Sequence, residues 1–209
     1  MKKQNRQVIR IISLFGILAF IFYILHDVLG ALNYPGYNPF KQAVSDLTAI
    51  DAPSFHIARS LSFIYGIFTI LTLLATLKLM ENKNKVLKRA TKTFLITSIV
   101  STIGYTLFPL SSKGYDGSLI SFVHVYVITI LVVLLSISSL ILFIIGFIKE
   151  KNKLMIILTI ITLLFMMLGA ILSSIVNPNY FGVVERFSTY SVVVYTLIIG
   201  IYSYIISKY

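Results

Sequence analysis

Seven acids and three histidines are all this 209-residue chain offers for acid–base or metal chemistry. Ser45-Asp46 and His124 have the residue types of an acyl-transfer triad: a hydroxyl nucleophile, a base and a carboxylate to orient it. No nucleophile elbow surrounds Ser45. His26, Asp46 and His124 could equally supply a His/carboxylate metal site with an open position, although no H-E-x-x-H pattern is present. His26, Asp27, Arg59, Glu185 and Arg186 are further candidates for lining a ligand pocket. The plainer reading is that these charges pair with one another and fasten loops. Glu185 also suits a helix N-terminus, whose dipole favours an acid. The absence of Cys excludes disulfides, thiolate metal sites and Cys nucleophiles. There is no phosphate-binding Gly loop, no dinucleotide fingerprint and no pair of mid-span haem-ligating histidines, so the sequence names no cofactor.

These residues must be positioned by apolar elements. Of the chain, 57% is hydrophobic and 12% charged, with mean hydropathy +0.92. A soluble domain carries roughly 25% charged residues; half that leaves too little polar surface to face water. The composition predicts an all-α integral membrane protein with one domain over residues 1–209. About 20 apolar residues cross a hydrocarbon core. Six runs reach that length, at about 8–32, 57–80, 92–110, 119–148, 154–176 and 185–207. The first follows the basic start "MKKQNRQVIR" but is too long for a signal-peptide core, so it reads as a retained anchor. With no Trp, the interfacial aromatic role falls to Tyr and Phe.

Charge sets the direction. Fourteen of the 18 Lys and Arg lie in the N-terminus, the 78–92 link, the 149–153 link and the C-terminal "SKY", leaving Lys41, Arg59, Lys113 and Arg186 for the other side. Basic residues of short loops stay cytoplasmic, so both termini are predicted inside a cell membrane. The basic residues are juxtamembrane, which favours anionic lipid headgroups as partners and argues against nucleic acid. Asp27, Asp46, Asp51, Asp116, Glu185 and all three histidines fall on the outer side, together with the Pro-rich stretch 31–56. No charge lies in the middle of a span, which argues against a proton- or ion-coupled pump. Two hydroxyl stripes at helical spacing, Ser98, Ser101, Thr102 and Tyr105, and Ser188, Ser191, Tyr195 and Tyr202, read as packing surfaces.

The outer stretch carries its own pattern. Pro35-Gly36 is a turn signal and Asn38-Pro39 a helix start. Phe40, Ala43, Val44 and Leu47 then recur at i, i+3, i+4 and i+7. The spacing predicts a short interfacial helix over 39–49, with Phe40, Val44 and Leu47 buried and Lys41 exposed. Asp51, Pro53 and Ser54 are candidate caps for the second span.

"YPGYNPFKQAVSDL" (34–47) just after a first span resembles a prokaryotic membrane family known as domain of unknown function 998, in which a Pro-Gly-Tyr turn leads to a Ser-Asp/Glu-Leu triplet. "YTLFPL" (105–110), ending the third span in Phe108-Pro109, and His124 just inside the fourth fit the same likeness. The resemblance implies the six-span layout and no particular activity. A slighter likeness to six-span autophagy-modulator and GPI-lipid-remodelling proteins points towards lipids.

The resulting expectation is a six-helix membrane bundle, termini inside, with a short outer interfacial helix. Asp46, His124 and Arg59 are expected in one outer hydrogen-bonded network with Glu185 or Arg186. Two functions remain open. In one, that network is an outward-facing pocket binding or processing a lipid headgroup. In the other, the protein is a non-catalytic membrane-interaction or small-molecule-binding protein whose outer charges only fasten loops. An enzyme would show reactive side chains converging on an open cavity; a fastener would show them paired and closed over.

Overall fold

The computed structural model describes residues 3–81, 83–112 and 114–208. The apolar runs form helices because a chain in hydrocarbon must satisfy its own backbone hydrogen bonds. The first run gives α1 (Lys3–Ser13) and α2 (Phe15–Leu32), nearly continuous, with a tighter turn at Leu14, whose N–H donates to Ile11 O at 3.0 Å. Then follow α3 (Phe55–Leu79), α4 (Lys85–Leu107), a short α5 (Leu119–Phe122), α6 (Ile130–Lys149), α7 (Lys153–Leu172) and α8 (Phe181–Ile206). Between α5 and α6, Val123–Thr129 is a π-helical stretch, so the fourth run is one rod with a local bulge. Asn side chains start two of these helices. Asn84 accepts from Val86 N and Leu87 N, and Asn152 accepts from Met155 N, as the first unpaired N–H groups of a helix require.

The helices close into a ring in which each packs on its chain neighbours: α2 on α3, α3 on α4, α4 on α6, α6 on α7, α7 on α8, and α8 back on α2. α3 also meets α8 across the middle. Towards the end where the chain starts, the core is Leu73, Leu87, Phe94, Phe143, Phe147, Tyr195 and Ile199. At the opposite end a second cluster holds Tyr23, Val44, Leu47, Ala58 and Val193, with Tyr37, Tyr65 and Tyr190 against it. Close approach needs Gly200, where an added Cβ would lie 2.5 Å from Ser13 O and 3.0 Å from Thr72 Cγ2. The outer surface is strongly apolar: Leu134, Ile157 and Leu164 are each more than half exposed.

Among the described residues, five helical rods are long and apolar enough to cross a membrane: Asn5–Leu32, Phe55–Leu79, Leu119–Lys149, Lys153–Leu172 and Pro178–Ile206. The expected third span, α4, is a 23-residue helix in the ring but falls outside that set. Lys85, Lys88, Arg89 and Lys92 crowd its first eight residues and lower its hydropathy.

The predicted helix over 39–49 does not form. Residues 39–41 are turn, Gln42 is a bend, Ala43 is extended, and only Val44–Thr48 makes a single 3-10 helix. Val44 and Leu47 are buried and Lys41 is exposed, but Phe40 is 60% exposed. The cause is competition for carbonyls, since those of Pro39, Phe40 and Gln42 bond to Arg186 and Gly182 of α8. Of the expected caps, Ser54 is the N-cap residue of α3, but its side chain does not cap the helix. Ser54 Oγ donates to Leu47 O at 2.8 Å, and Asp51 accepts from Ser112 N and Oγ. The first bond closes the strap, residues 33–54, on itself; the second ties it to the residues that follow α4, and Ile50 N–H adds a bond to Leu110 O.

On the chain-start side, Glu150 joins two links by accepting from Asn84 Nδ2 (2.8 Å) and Lys83 Nζ (3.4 Å). Burial pushes the Glu150 carboxyl up, but Asn84 and Lys83 outweigh it and hold it below its usual value.

Candidate functional site in the polar cluster under the strap

Arg186, in the second turn of α8, faces Asp27 in the last turns of α2 because these two helices close the ring. Its Nε donates to Asp27 Oδ2 at 3.0 Å and its Nη2 to Oδ1 at 2.8 Å. This is the two-pronged geometry that makes Arg–carboxylate pairs strong. The side chains are 17% and 13% exposed. Tyr190, one turn further along α8, donates to Asp27 Oδ2 at 2.7 Å. Nη2 also donates to Tyr37 Oη at 2.8 Å, and Tyr37 in turn donates to Ala43 O. Nη1 faces three carbonyls, those of Pro39 (2.8 Å), Gly182 (2.9 Å) and Gln42 (3.1 Å). Guanidinium has five N–H donors, and every one is engaged.

The strap sits directly on α8 at Gly182, one helical turn before Arg186. A Cβ there would lie 2.1 Å from Gln42 O and 2.5 Å from Pro39 O, while Gly182 N–H donates to Phe40 O at 2.9 Å. Glu185 Oε2 accepts from Val44 N at 3.2 Å, and Asp46 Oδ2 from Ala43 N at 3.1 Å. Each carboxylate therefore serves the start of the 3-10 turn. Burial pushes the Asp46 carboxyl above its usual value, against the pull of the Ala43 N–H and Arg186. Burial also pushes the Tyr37 phenol up to about 12, with Arg186 opposing.

The other candidates are separate. His26 is buried at 3% exposure and its Nδ1–H donates to Ala58 O at 2.9 Å. It neighbours Asp27 in sequence but faces α3. His124 lies in the π-helical stretch; its Nδ1–H donates to Phe108 O and its ring lies 4.7 Å from that of Tyr105. Arg59 donates from Nη2 to Thr106 O at 2.7 Å and lies over the Phe55 ring. Ser45 is exposed, and no histidine bonds to it among the described residues. Asp46, His124 and Arg59 thus do not share one network. Each bonds instead to a different backbone group, because each helix end brings its own unpaired carbonyl or N–H closer than a distant side chain. Among the described residues no three His, Asp or Glu side chains are grouped to hold a metal. His26 and His124 both spend Nδ1 on carbonyls.

Two residues absent from the candidate set carry much of the cluster, Tyr37 and Tyr190. Tyr190 had a legible signal, lying four residues after Arg186 on one helix face. Tyr37 had one in the Pro-Gly-Tyr turn. Below them, α7 and α8 leave a groove of about 380 Å³. Ile161, Phe165, Phe187, Val194 and Ile198 line it together with Tyr190 and Arg186.

A ring of apolar helices, its outer surface rich in exposed Ile, Leu and Phe, defines a multi-pass membrane protein. The chain belongs to the family described as "Protein of unknown function (DUF998)", whose family model matches residues 17–202. No curated protein and no solved structure matches it.

Proposed function

We propose that this chain is a non-catalytic, six-span lipid-binding protein of the cell membrane, with both termini in the cytoplasm, and that the α7–α8 groove holds a lipid acyl chain. The groove carries the reading. Its volume lies within the roughly 300–1,000 Å³ of ligand sites, its wall is apolar, and it lies between two helices long and apolar enough to cross a membrane. The outer cluster supports a fastening role, since Arg186 has no donor left for a headgroup and Ser45, Asp46 and His124 do not converge. α4 supplies the sixth span. Its 23 residues rise about 34 Å at 1.5 Å each, and its basic start lies at the same end as the other inner links.

A photoactivatable acyl chain on phosphatidylglycerol tests the lipid reading. Label is expected on peptides of α7 and α8, and to fall severalfold in Val194→Trp, which fills the groove. Label spread evenly over all helices, or unchanged in that variant, would sink it. Topology is tested with single cysteines in this Cys-free chain. In intact cells an impermeant maleimide should modify Asp116→Cys and spare Lys85→Cys; the reverse pattern inverts the protein.

A further inference from the structure

Arg59 is the contrasting charge of the outer end. It lies one turn into α3, beside the last turn of α4. Of its five N–H donors, only Nη2 makes a hydrogen bond among the described residues, to Thr106 O. Its guanidinium carbon lies 5.0 Å from the Phe55 ring centroid. Among the described residues it pairs with no carboxylate. Beside it, α3 and α4 part to leave a cleft of about 60 Å³, lined by Arg59 together with Ser62, Tyr65, Ser101, Tyr105 and Thr48. That is room for about two waters at ~30 Å³ each, the scale of one small polar group and far below a lipid tail. The Ser62 and Ser101 hydroxyls make no hydrogen bond among the described residues. The lining therefore offers one cation, several uncommitted donors and no acid. A charge beside hydrocarbon must pair or reach water, and a guanidinium fork fits two oxygens of an oxyanion.

We propose that the Arg59 cleft is a binding site for a phosphate-type oxyanion, carried either by a lipid headgroup or by a free anion. Arg59 supplies the charge, and Ser62 and Ser101 complete the donor set. The Thr106 bond makes Arg59 a cap for the α4 C-terminus as well, and that bond holds the guanidinium at the mouth of the cleft. The site is independent of the α7–α8 groove, which lies between other helices.

The test uses the full chain in an uncharged maltoside detergent and phosphate-free buffer. It is titrated calorimetrically with inorganic phosphate and, separately, with short-chain phosphatidylglycerol. Saturable one-to-one binding is expected in at least one arm. Saturation by phosphate identifies a free anion; saturation by phosphatidylglycerol alone that Ser101→Leu removes and Val194→Trp spares identifies a headgroup at the cleft. Arg59→Gln should weaken binding about tenfold or more, the scale of a lost charged hydrogen bond. Ser101→Leu, which fills the cleft and leaves Arg59 and its cap in place, should do the same; if Arg59→Gln fails to fold, Ser101→Leu decides alone. Val194→Trp should leave the phosphate isotherm unchanged and remove only the groove's share of phosphatidylglycerol binding, separating this site from the groove. No saturable binding in either arm, or binding wholly unchanged by Ser101→Leu, overturns the proposal. So does phosphatidylglycerol binding abolished by Val194→Trp and untouched by Ser101→Leu.

Discussion

Arg186 and Arg59 stand at the same end of the bundle, each near the start of its helix, and their surroundings are opposite. Arg186 meets one carboxylate, one phenol and three carbonyls drawn from α2, the strap and α8 itself. Arg59 meets one carbonyl and a ring face. Both carry a charge that hydrocarbon penalises, and the fold resolves this in two ways. At Arg186 it surrounds the charge with protein acceptors, so the charge locks the strap down. At Arg59 it leaves the charge at the edge of a small hydroxyl-lined cleft. In a membrane protein the number of uncommitted donors, more than the presence of charge, separates a fastener from a site.

The comparison predicts a graded set of outcomes. The largest is Arg186→Gln. It leaves Asp27 buried without its partner, and breaking a buried pair costs about 3–5 kcal/mol. Thermal unfolding in detergent should show a large drop, and exchanging the two residues, Asp27→Arg with Arg186→Asp, should not restore it. An Asp at 186 cannot donate to the carbonyls of Pro39, Gln42 and Gly182. Full recovery in the exchange would reduce the cluster to a simple ion pair. Next comes Gly182→Ala, whose Cβ collides with backbone and cannot be absorbed by a rotamer change. A loss of about 1–3 kcal/mol is expected, with the strap more open to proteolysis. Stability equal to the parent would mean that the strap does not rest on α8.

Arg59→Gln should cost at most about 1 kcal/mol, the range of one net hydrogen bond. A loss as large as that of Arg186→Gln would make Arg59 a second fastener. The smallest effect is in pH. The Asp46 carboxyl is raised by burial, so its protonated form is favoured in the fold. Its contribution is fully present below the unfolded carboxyl value and is lost as pH rises through the raised one. Asp46→Asn should flatten that slope. In Arg186→Gln the Asp46 titration, followed by carboxyl-resolved NMR, should move higher still, because the lowering charge is gone. A downward move would contradict the assigned field.

Much of the architecture was legible because it depends on run length. Twenty apolar residues form a helix whatever their partners, and 57–80 and 154–176 correspond closely to α3 and α7. The candidate site was legible only as a membership list. Asp27, Glu185 and Arg186 are charges inside or at the ends of apolar runs, which marked them. Which of them meet depends on α8 closing against α2, a contact across 159 residues. The strap shows the same limit locally. Its i, i+3, i+4, i+7 pattern correctly buries Val44 and Leu47, but the helix it implies needs carbonyls that α8 takes instead.

The sequence alone determined that this is a chain of apolar helices with five of its seven acids and all three histidines near one set of helix ends, because hydrocarbon length and the cost of charge act on composition and order. It also determined, through "YPGYNPFKQAVSDL", the family. Tertiary structure decided which charges are spent and which are left over. Donors and acceptors are satisfied by whatever the packed helices bring within about 3 Å, and ring closure sets that distance. Arg186 was thereby surrounded, and Arg59 was left facing a cleft.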